Sequence, residues 1–186
     1  MKYRRLKALV SVLLLSASLL AGCGQSAGKD ADAVIGTWAY IHDPETPVLT
    51  LKKSGKAEYK GETYRYTADA KYINLTSKDE ELHLRYTKDE DEFYLYQPAT
   101  YQPAGDQVAD AGSYIGKWSD PDTGWSFEFT EEGSFVEDGY FPGAYTANGD
   151  SIKLMYEDHF YDTTIYYTVE NGELHIEYPW SMVRAN

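Results

Sequence analysis

Apolar and polar residues alternate with a period of two along most of the chain after residue 30. Every second residue is aliphatic or aromatic in six short segments, which are 49–51, 73–75, 82–84, 125–129, 152–154 and 174–176. Such alternation is typical of β-strands that bury one face. Turn-forming pairs such as Ser54-Gly55 and Asn171-Gly172 separate the segments. No stretch after residue 30 keeps the hydrophobic period of a helix. The pattern therefore predicts an all-β, antiparallel fold.

The alternating pattern occurs twice. Gly36 and Trp38 recur as Gly116 and Trp118, and further landmarks follow at a similar offset of about 80 residues. We predict about six or seven short strands in each copy, arranged as a β-meander. The sequence therefore predicts two tandem antiparallel β-meander or small barrel repeats. One composite β-barrel is the alternative.

The repeats also set the expected domain boundaries. We interpret 34–97 and 113–186 as β repeats 1 and 2. Residues 98–112 contain two prolines, two glycines and four alanines without an apolar pattern, so we expect a linker there. Units of this size without disulfides have small cores, which favours packing of the two repeats against each other.

A Gly-x-Trp motif that opens an antiparallel meander resembles the lipocalin-like, or calycin-like, barrels. Gly36 with Trp38, and Gly116 with Trp118, carry the resemblance. It implies that each tryptophan closes one end of a barrel and that the open end holds a small apolar ligand. The duplication is similar to that of small bacterial lipoproteins built from lipocalin-like repeats.

The first 22 residues differ in kind from the rest. Four basic residues precede an apolar run at 8–20, and small residues then lead to Cys23. This order is typical of an export signal, and a spanning helix would need about 20 apolar residues. Leu20-Ala21-Gly22-Cys23 resembles the lipobox of bacterial lipoproteins, which implies lipid transfer to the thiol and cleavage before it. We interpret 1–22 as a lipoprotein signal peptide, Cys23 as the lipidation site and 23–33 as a flexible tether.

The charge of the chain narrows its partners. There are 17 Lys+Arg against 30 Asp+Glu, and the formal net charge is −13. The excess is uneven, because residues 113–186 hold 14 acidic residues and only three basic ones. Such a field repels phosphate backbones, so a nucleic-acid partner is excluded and cationic partners are favoured.

Few residues suggest catalysis or metal binding. The four histidines lack metal-ligand spacing, and no His-Glu-x-x-His motif occurs. The pattern Gly-x-Ser-x-Gly occurs once, at 24–28, but it lies in the small-residue stretch directly after Cys23 and not between a predicted strand and helix, as a catalytic serine would require. We therefore expect no enzyme activity and no cofactor. Asp120 and Asp122 are the weak candidates for calcium, because they place carboxylates in one turn. The alternative, which we favour, is a type I turn with Asp first and Pro second, and no metal.

Aromatic residues are concentrated in the second repeat, where residues 113–186 include 16 Phe, Trp and Tyr. Alternation lets only one of two adjacent aromatic residues face the core, so several should lie outside among carboxylates. Surfaces of this kind bind apolar and cationic groups together. The expected ligand contacts are Trp125, Tyr161, Tyr166 and Trp180. The alternative is that cross-strand tyrosine pairs only stabilise the sheet.

Together these features predict a non-enzymatic binding or interaction module that is lipid-anchored at the extracytoplasmic face of the cell membrane. A basic peptide, an envelope protein or a glycan is the expected partner. Two alternatives stay open. One is an envelope hydrolase or catalytic accessory, which needs carboxylates that converge in a pocket. The other is a purely structural envelope protein.

The lipidation hypothesis predicts the behaviour of Cys23→Ala. The variant should leave the membrane fraction or stay unprocessed, because two or three acyl chains are the only strong anchor that we assign to the chain. Cell fractionation and the mass of the product measure both results. Recovery of normally processed Cys23→Ala protein in the membrane fraction would contradict the hypothesis.

Overall fold

The computed structural model describes most of the chain, in the ranges 31–89, 92–105, 112–157 and 162–185. The expected signal peptide 1–22, the lipidation candidate Cys23 and the tether up to residue 30 lie outside the described residues. The last tether residues belong to a single helical turn, α1 (Ala31–Val34). Within the described ranges, no helix has the length and apolar character needed to cross a bilayer.

Fourteen strands are described, and all their pairings are antiparallel, as the alternating pattern predicts. The first seven are β1 (Gly36–Tyr40), β2 (Pro47–Leu51), β3 (Lys56–Tyr59), β4 (Glu62–Ala68), β5 (Tyr72–Thr76), β6 (Glu81–Lys88) and β7 (Phe93–Pro103). The other seven are β8 (Gly116–Ser119), β9 (Ser126–Phe129), β10 (Ser134–Glu137), β11 (Phe141–Asn148), β12 (Ser151–Tyr156), β13 (Thr163–Glu170) and β14 (Glu173–Arg184).

The meander closes into one ring, and the ring is crossed in the middle. Each strand pairs with its neighbours in sequence, and β1 pairs with β14 to close the sheet. The long strands β7 and β14 also pair with each other, from Phe93 opposite Met182 to Tyr101 opposite Leu174. We call this pair the β7–β14 ribbon. It divides the ring into a first circuit of β1–β7 with β14 and a second circuit of β8–β13 with β14 and β7.

Each circuit encloses its own apolar core. The first core includes Leu49, Leu51, Ile73, Leu75, Phe93, Leu95 and Met182. The second includes Tyr101, Phe127, Phe129, Phe135, Ile152, Leu154, Ile165, Leu174 and Ile176. Residues two apart on a strand share a face. One face of the ribbon therefore lines the first core at one end and the second core at the other.

The two tryptophans of the Gly-x-Trp motifs are buried, which confirms that they face inward. Trp38 and Trp118 are 5% and 0% exposed. Each indole Nε1 donates a 2.7 Å hydrogen bond to the carbonyl four residues earlier, of Val34 and Tyr114 respectively. Burial of a large ring with its one polar atom bonded stabilises one end of each core.

The glycine of the motif has a steric reason. Gly36 and Gly116 have φ angles of +141° and +126°. Residues that carry a Cβ rarely adopt such angles. A Cβ on Gly36 would also overlap the guanidinium of Arg184, which donates a 2.7 Å bond to the carbonyl of Ile35. The glycine therefore permits the backbone conformation found at the start of the strand, and the tryptophan two residues later faces the core.

Part of the expected linker is strand. Residues 98–103 of the range 98–112 belong to β7, and Tyr101 is 2% exposed in the second core. Prolines discouraged a strand assignment there because they cannot donate to a ladder. Pairing with β14, which is 73 residues away for Tyr101 and Leu174, supplies the partner that local sequence does not show. Residues 106–111 of the range are outside the described part of the chain.

The burial of the two tryptophans predicts the cost of their removal. Trp38→Ala and Trp118→Ala should each lower the free energy of unfolding by about 3–5 kcal/mol, because each leaves a cavity and an unbonded carbonyl. Trp125→Ala is the matched control, since Trp125 is 38% exposed and should cost no more than about 1 kcal/mol. Denaturant unfolding measures all three. Equal, small losses at all three positions would contradict the packing described here.

Candidate functional site

A cavity of about 350 Å³ opens at one end of the second circuit. Trp125 precedes β9 there, Glu137 ends β10, Phe141 opens β11, Tyr156 ends β12 and Thr163 opens β13. Successive strands of a meander run in opposite directions, so these positions meet at the same end. The Trp118–Tyr114 hydrogen bond lies at the other end, where β8 begins. The volume is in the range of small-ligand sites.

Two carboxylates line the cavity, Glu137 and Asp138, and Glu137 is only 8% exposed. The hydroxyl of Tyr156 donates a hydrogen bond to its carboxylate, and the hydroxyls of Tyr156 and Tyr178 lie 3.2 Å apart. Burial raises the pKa of Glu137, although the hydrogen bond from Tyr156 opposes the shift. Burial also raises the pKa values of Tyr156 and Tyr178, which therefore stay protonated at neutral pH.

No cation compensates Glu137 within the described part of the chain. None of the described residues that line the cavity is basic, and none of the ion pairs found there includes Glu137. The neighbouring carboxylate of Asp138 accepts a 2.7 Å bond from the backbone N–H of Ser126. This bond fixes the start of β9. A buried carboxylate without a cationic partner is costly, and such groups cluster at functional sites.

Aromatic rings form the rim of the cavity. Trp125 and Phe141 are 38% and 41% exposed. Trp125 stacks on Trp180 with ring centroids 5.8 Å apart, and Trp180 in turn contacts Tyr40 and His42 of the first circuit. We call Tyr40, His42, Trp180 and Trp125 the aromatic strip. It extends from the first circuit to the mouth of the cavity.

The first circuit fills the matching position with a tyrosine. Tyr59 ends β3 as Glu137 ends β10, and each is followed by a residue with positive φ, Lys60 at 50° and Asp138 at 51°. Tyr59 is buried, and its hydroxyl donates a 2.8 Å bond to Oε1 of Gln97. Glu137 is a shorter residue, so the second circuit is left with space at this end.

A second exchange lies one pair deeper in the sheet. Ala57 faces Tyr64 between β3 and β4, whereas Phe135 faces Gly143 between β10 and β11. A Cβ on Gly143 would lie 2.5 Å from the ring of Phe135, which explains the glycine. The large side chain lies on β4 in the first circuit and on β10 in the second. The core below the cavity therefore stays filled.

Two of the four expected contact residues come together and one does not. Trp125 lines the cavity and Trp180 stacks on it. Tyr161 lies outside the described residues. Tyr166 faces outward as alternation predicts, but it lies on the opposite face of the sheet from the cavity, beside Glu177.

The ring of Tyr166 is covered by a residue of the first circuit. The guanidinium of Arg85 lies 3.7 Å from the ring centroid and 4.9 Å from that of Tyr72. Its Nε also donates a 2.5 Å bond to Glu177. These residues line a second cavity of about 330 Å³. The guanidinium of Arg85 in its wall is already in contact with Glu177 and with the two tyrosine rings. This cluster joins the two circuits.

The calcium candidates form a turn. Oδ1 of Asp120 accepts backbone bonds from Asp122 at 2.8 Å and Thr123 at 3.3 Å. Burial favours the neutral carboxyl, but these bonds outweigh it and hold the pKa of Asp120 below its ordinary value. Among the described residues, no group of three or more His, Cys, Asp or Glu is placed to hold a metal. Asp120 therefore has a structural partner in its own turn.

Sequence reasoning missed Glu137, Tyr156, Tyr178 and Phe141. One signal could have found Glu137, because it occupies the inward position two residues after Phe135. A carboxylate on the apolar face of a strand breaks the alternation. The three aromatic residues have no such signal, since aromatic side chains are equally expected in the core.

No family model, no curated protein and no solved structure matches the chain. The function must therefore be argued from the cavity, its lining and the organisation of the sequence.

Proposed function

We propose that this protein is a lipid-anchored, extracytoplasmic binding module that takes its ligand into the end cavity of the second circuit. The observation that carries the proposal is the cavity itself, with aromatic rims and a buried carboxylate. The signal-like residues 1–22 and the lipobox-like Cys23 support the location at a membrane surface.

The proposal includes a finer architecture, in which each circuit is a small lipocalin-like barrel and the two arose by duplication. Matching contacts support it. The Trp38–Val34 bond corresponds to the Trp118–Tyr114 bond. The backbone bond from Lys52 to Lys56 corresponds to the one from Thr130 to Ser134. In a lipocalin-like barrel the ligand enters opposite the tryptophan, which is where the cavity lies.

The proposed partner is a basic peptide, an envelope protein or a glycan. The acidic excess of residues 113–186 would attract cationic groups, and the aromatic strip offers ring faces for apolar ones. Glu137 and Asp138 line the cavity together with Trp125 of the aromatic strip, so charge and apolar contact would act on one ligand.

A second candidate function is an envelope hydrolase. The raised pKa of Glu137 in an aromatic pocket is what a general acid requires, and this observation favours it. A partner carboxylate would also be needed. Asp138 lines the same cavity, and Asp120 lies near Tyr101 as Glu137 does. The carboxylate of Asp138 already accepts a bond from the backbone N–H of Ser126, and that of Asp120 accepts backbone bonds within its own turn. Binding is therefore the function that the lining supports better.

The first circuit suggests the test. Glu137→Tyr should fill the cavity as Tyr59 fills its counterpart, and it should abolish ligand binding while the chain stays folded. Glu131→Tyr is the matched control, because Glu131 is exposed in the turn at the other end of the circuit. The measurement compares which envelope-extract components the immobilised full-length variants retain.

Components retained by the wild type and by Glu131→Tyr, but not by Glu137→Tyr, are the expected result. Equal retention by all three would contradict the proposal. Turnover of a retained component by the wild type would favour the hydrolase instead.

A further inference from the structure

The described wall of the cavity carries charge of one sign only. Its two described charged residues, Glu137 and Asp138, are both acidic, and only Asp138 has a backbone partner for its carboxylate. Glu137 receives one hydroxyl donor, from Tyr156. A neutral donor compensates a buried carboxylate less than a cation does. Among the described residues of the lining, no cation balances this carboxylate.

The remaining lining fits a compact cation on an apolar stem. Trp125, Phe141 and Tyr178 present ring surface, and ring faces attract ammonium groups. An anion would meet two carboxylates and no described basic residue. A neutral sugar would need several donors and acceptors, but the hydroxyls of Tyr156 and Tyr178 are already bonded to their neighbours.

We infer that the cavity selects a protonated primary amine on a short apolar stem, with Glu137 as its counter-ion and the aromatic rim around the stem. This inference rests on the proposed function, since it names the ligand class for the same cavity. The amine enters from the side of the aromatic strip, and the net negative charge of the second half steers it there.

Two sources could supply this chemistry, a lysine side chain or a free alkylamine. Full-length protein in detergent is therefore titrated with two pairs of probes, each with a neutral isostere. One pair is Nα-acetyl-lysinamide and Nα-acetyl-norleucinamide. The other is pentylammonium and pentanol. Calorimetry or ligand-observed NMR gives each dissociation constant.

The wild type should bind at least one amine about tenfold or more tightly than its isostere, because a charge-assisted hydrogen bond is worth that much. Glu137→Gln should remove this preference. Glu131→Gln should keep it, although the net charge changes equally. Preference for lysinamide assigns the ligand to peptides, and preference for pentylammonium alone assigns it to free amines.

The pH dependence gives a second readout. Amine affinity should fall as pH is lowered through the pKa of Glu137, which burial raises, because protonation removes the counter-ion. Asp138, Asp120, Tyr101, Tyr156 and Tyr178 are the other titratable groups near Glu137. The tyrosines stay neutral over this range. The carboxylates of Asp138 and Asp120 already accept bonds from backbone N–H groups. Glu137→Gln should show a flat profile.

The outcomes separate this inference from the proposed function. Isosteres that bind as tightly as amines, or no amine binding at all, overturn the inference. In either case, the Glu137→Tyr variant can still fail to retain extract components that the wild type retains. The cavity then binds another class of ligand, and the proposed function stands. If Glu137→Tyr changes nothing, both fail.

Discussion

The antiparallel pairing of β7 with β14 is the interaction on which the rest of the structure depends. It joins residues that are between 73 and 89 positions apart in sequence, such as Thr100 and His175. Without it, the fourteen strands would form one wide ring, closed by the pairing of β1 with β14, and nothing would separate the two cores. With it, each circuit closes around its own apolar core. The ribbon also carries Tyr178 and Trp180 to the junction of the circuits, so the fold and the cavity share one support.

The two circuits place different side chains at matching positions of their strands. Tyr59 and Glu137 end matching strands, but one fills its circuit and the other leaves space. Ala57 with Tyr64, and Phe135 with Gly143, keep a large and a small residue in contact while exchanging their places. Such exchanges preserve core volume, which close-packed interiors require.

The sequence predicted what local pattern determines, and missed what distant contacts determine. Alternation indicated the all-β class, and the Gly-x-Trp motifs indicated buried tryptophans. Neither could show that residues 98–103 form a strand, because their partner lies in β14. Alternation placed Tyr166 outside but could not show that Arg85 covers it, since Arg85 reaches Glu177 across 92 residues. Glu137 was visible only as a break in a pattern, and its aromatic neighbours come from other strands.

Disulfide formation across the ribbon tests the central claim most directly. Thr100 and His175 face each other in β7 and β14, and Thr168 faces His175 from β13 on the other side. In a Cys23→Ser background, Thr100→Cys/His175→Cys should form a disulfide on mild oxidation, because facing Cα atoms in such pairs lie about 4.5–5.5 Å apart. Thr100→Cys/Thr168→Cys, two strands apart, should not. A folded protein in which the first pair stays reduced, or in which the second pair links as readily, would contradict the crossed ring.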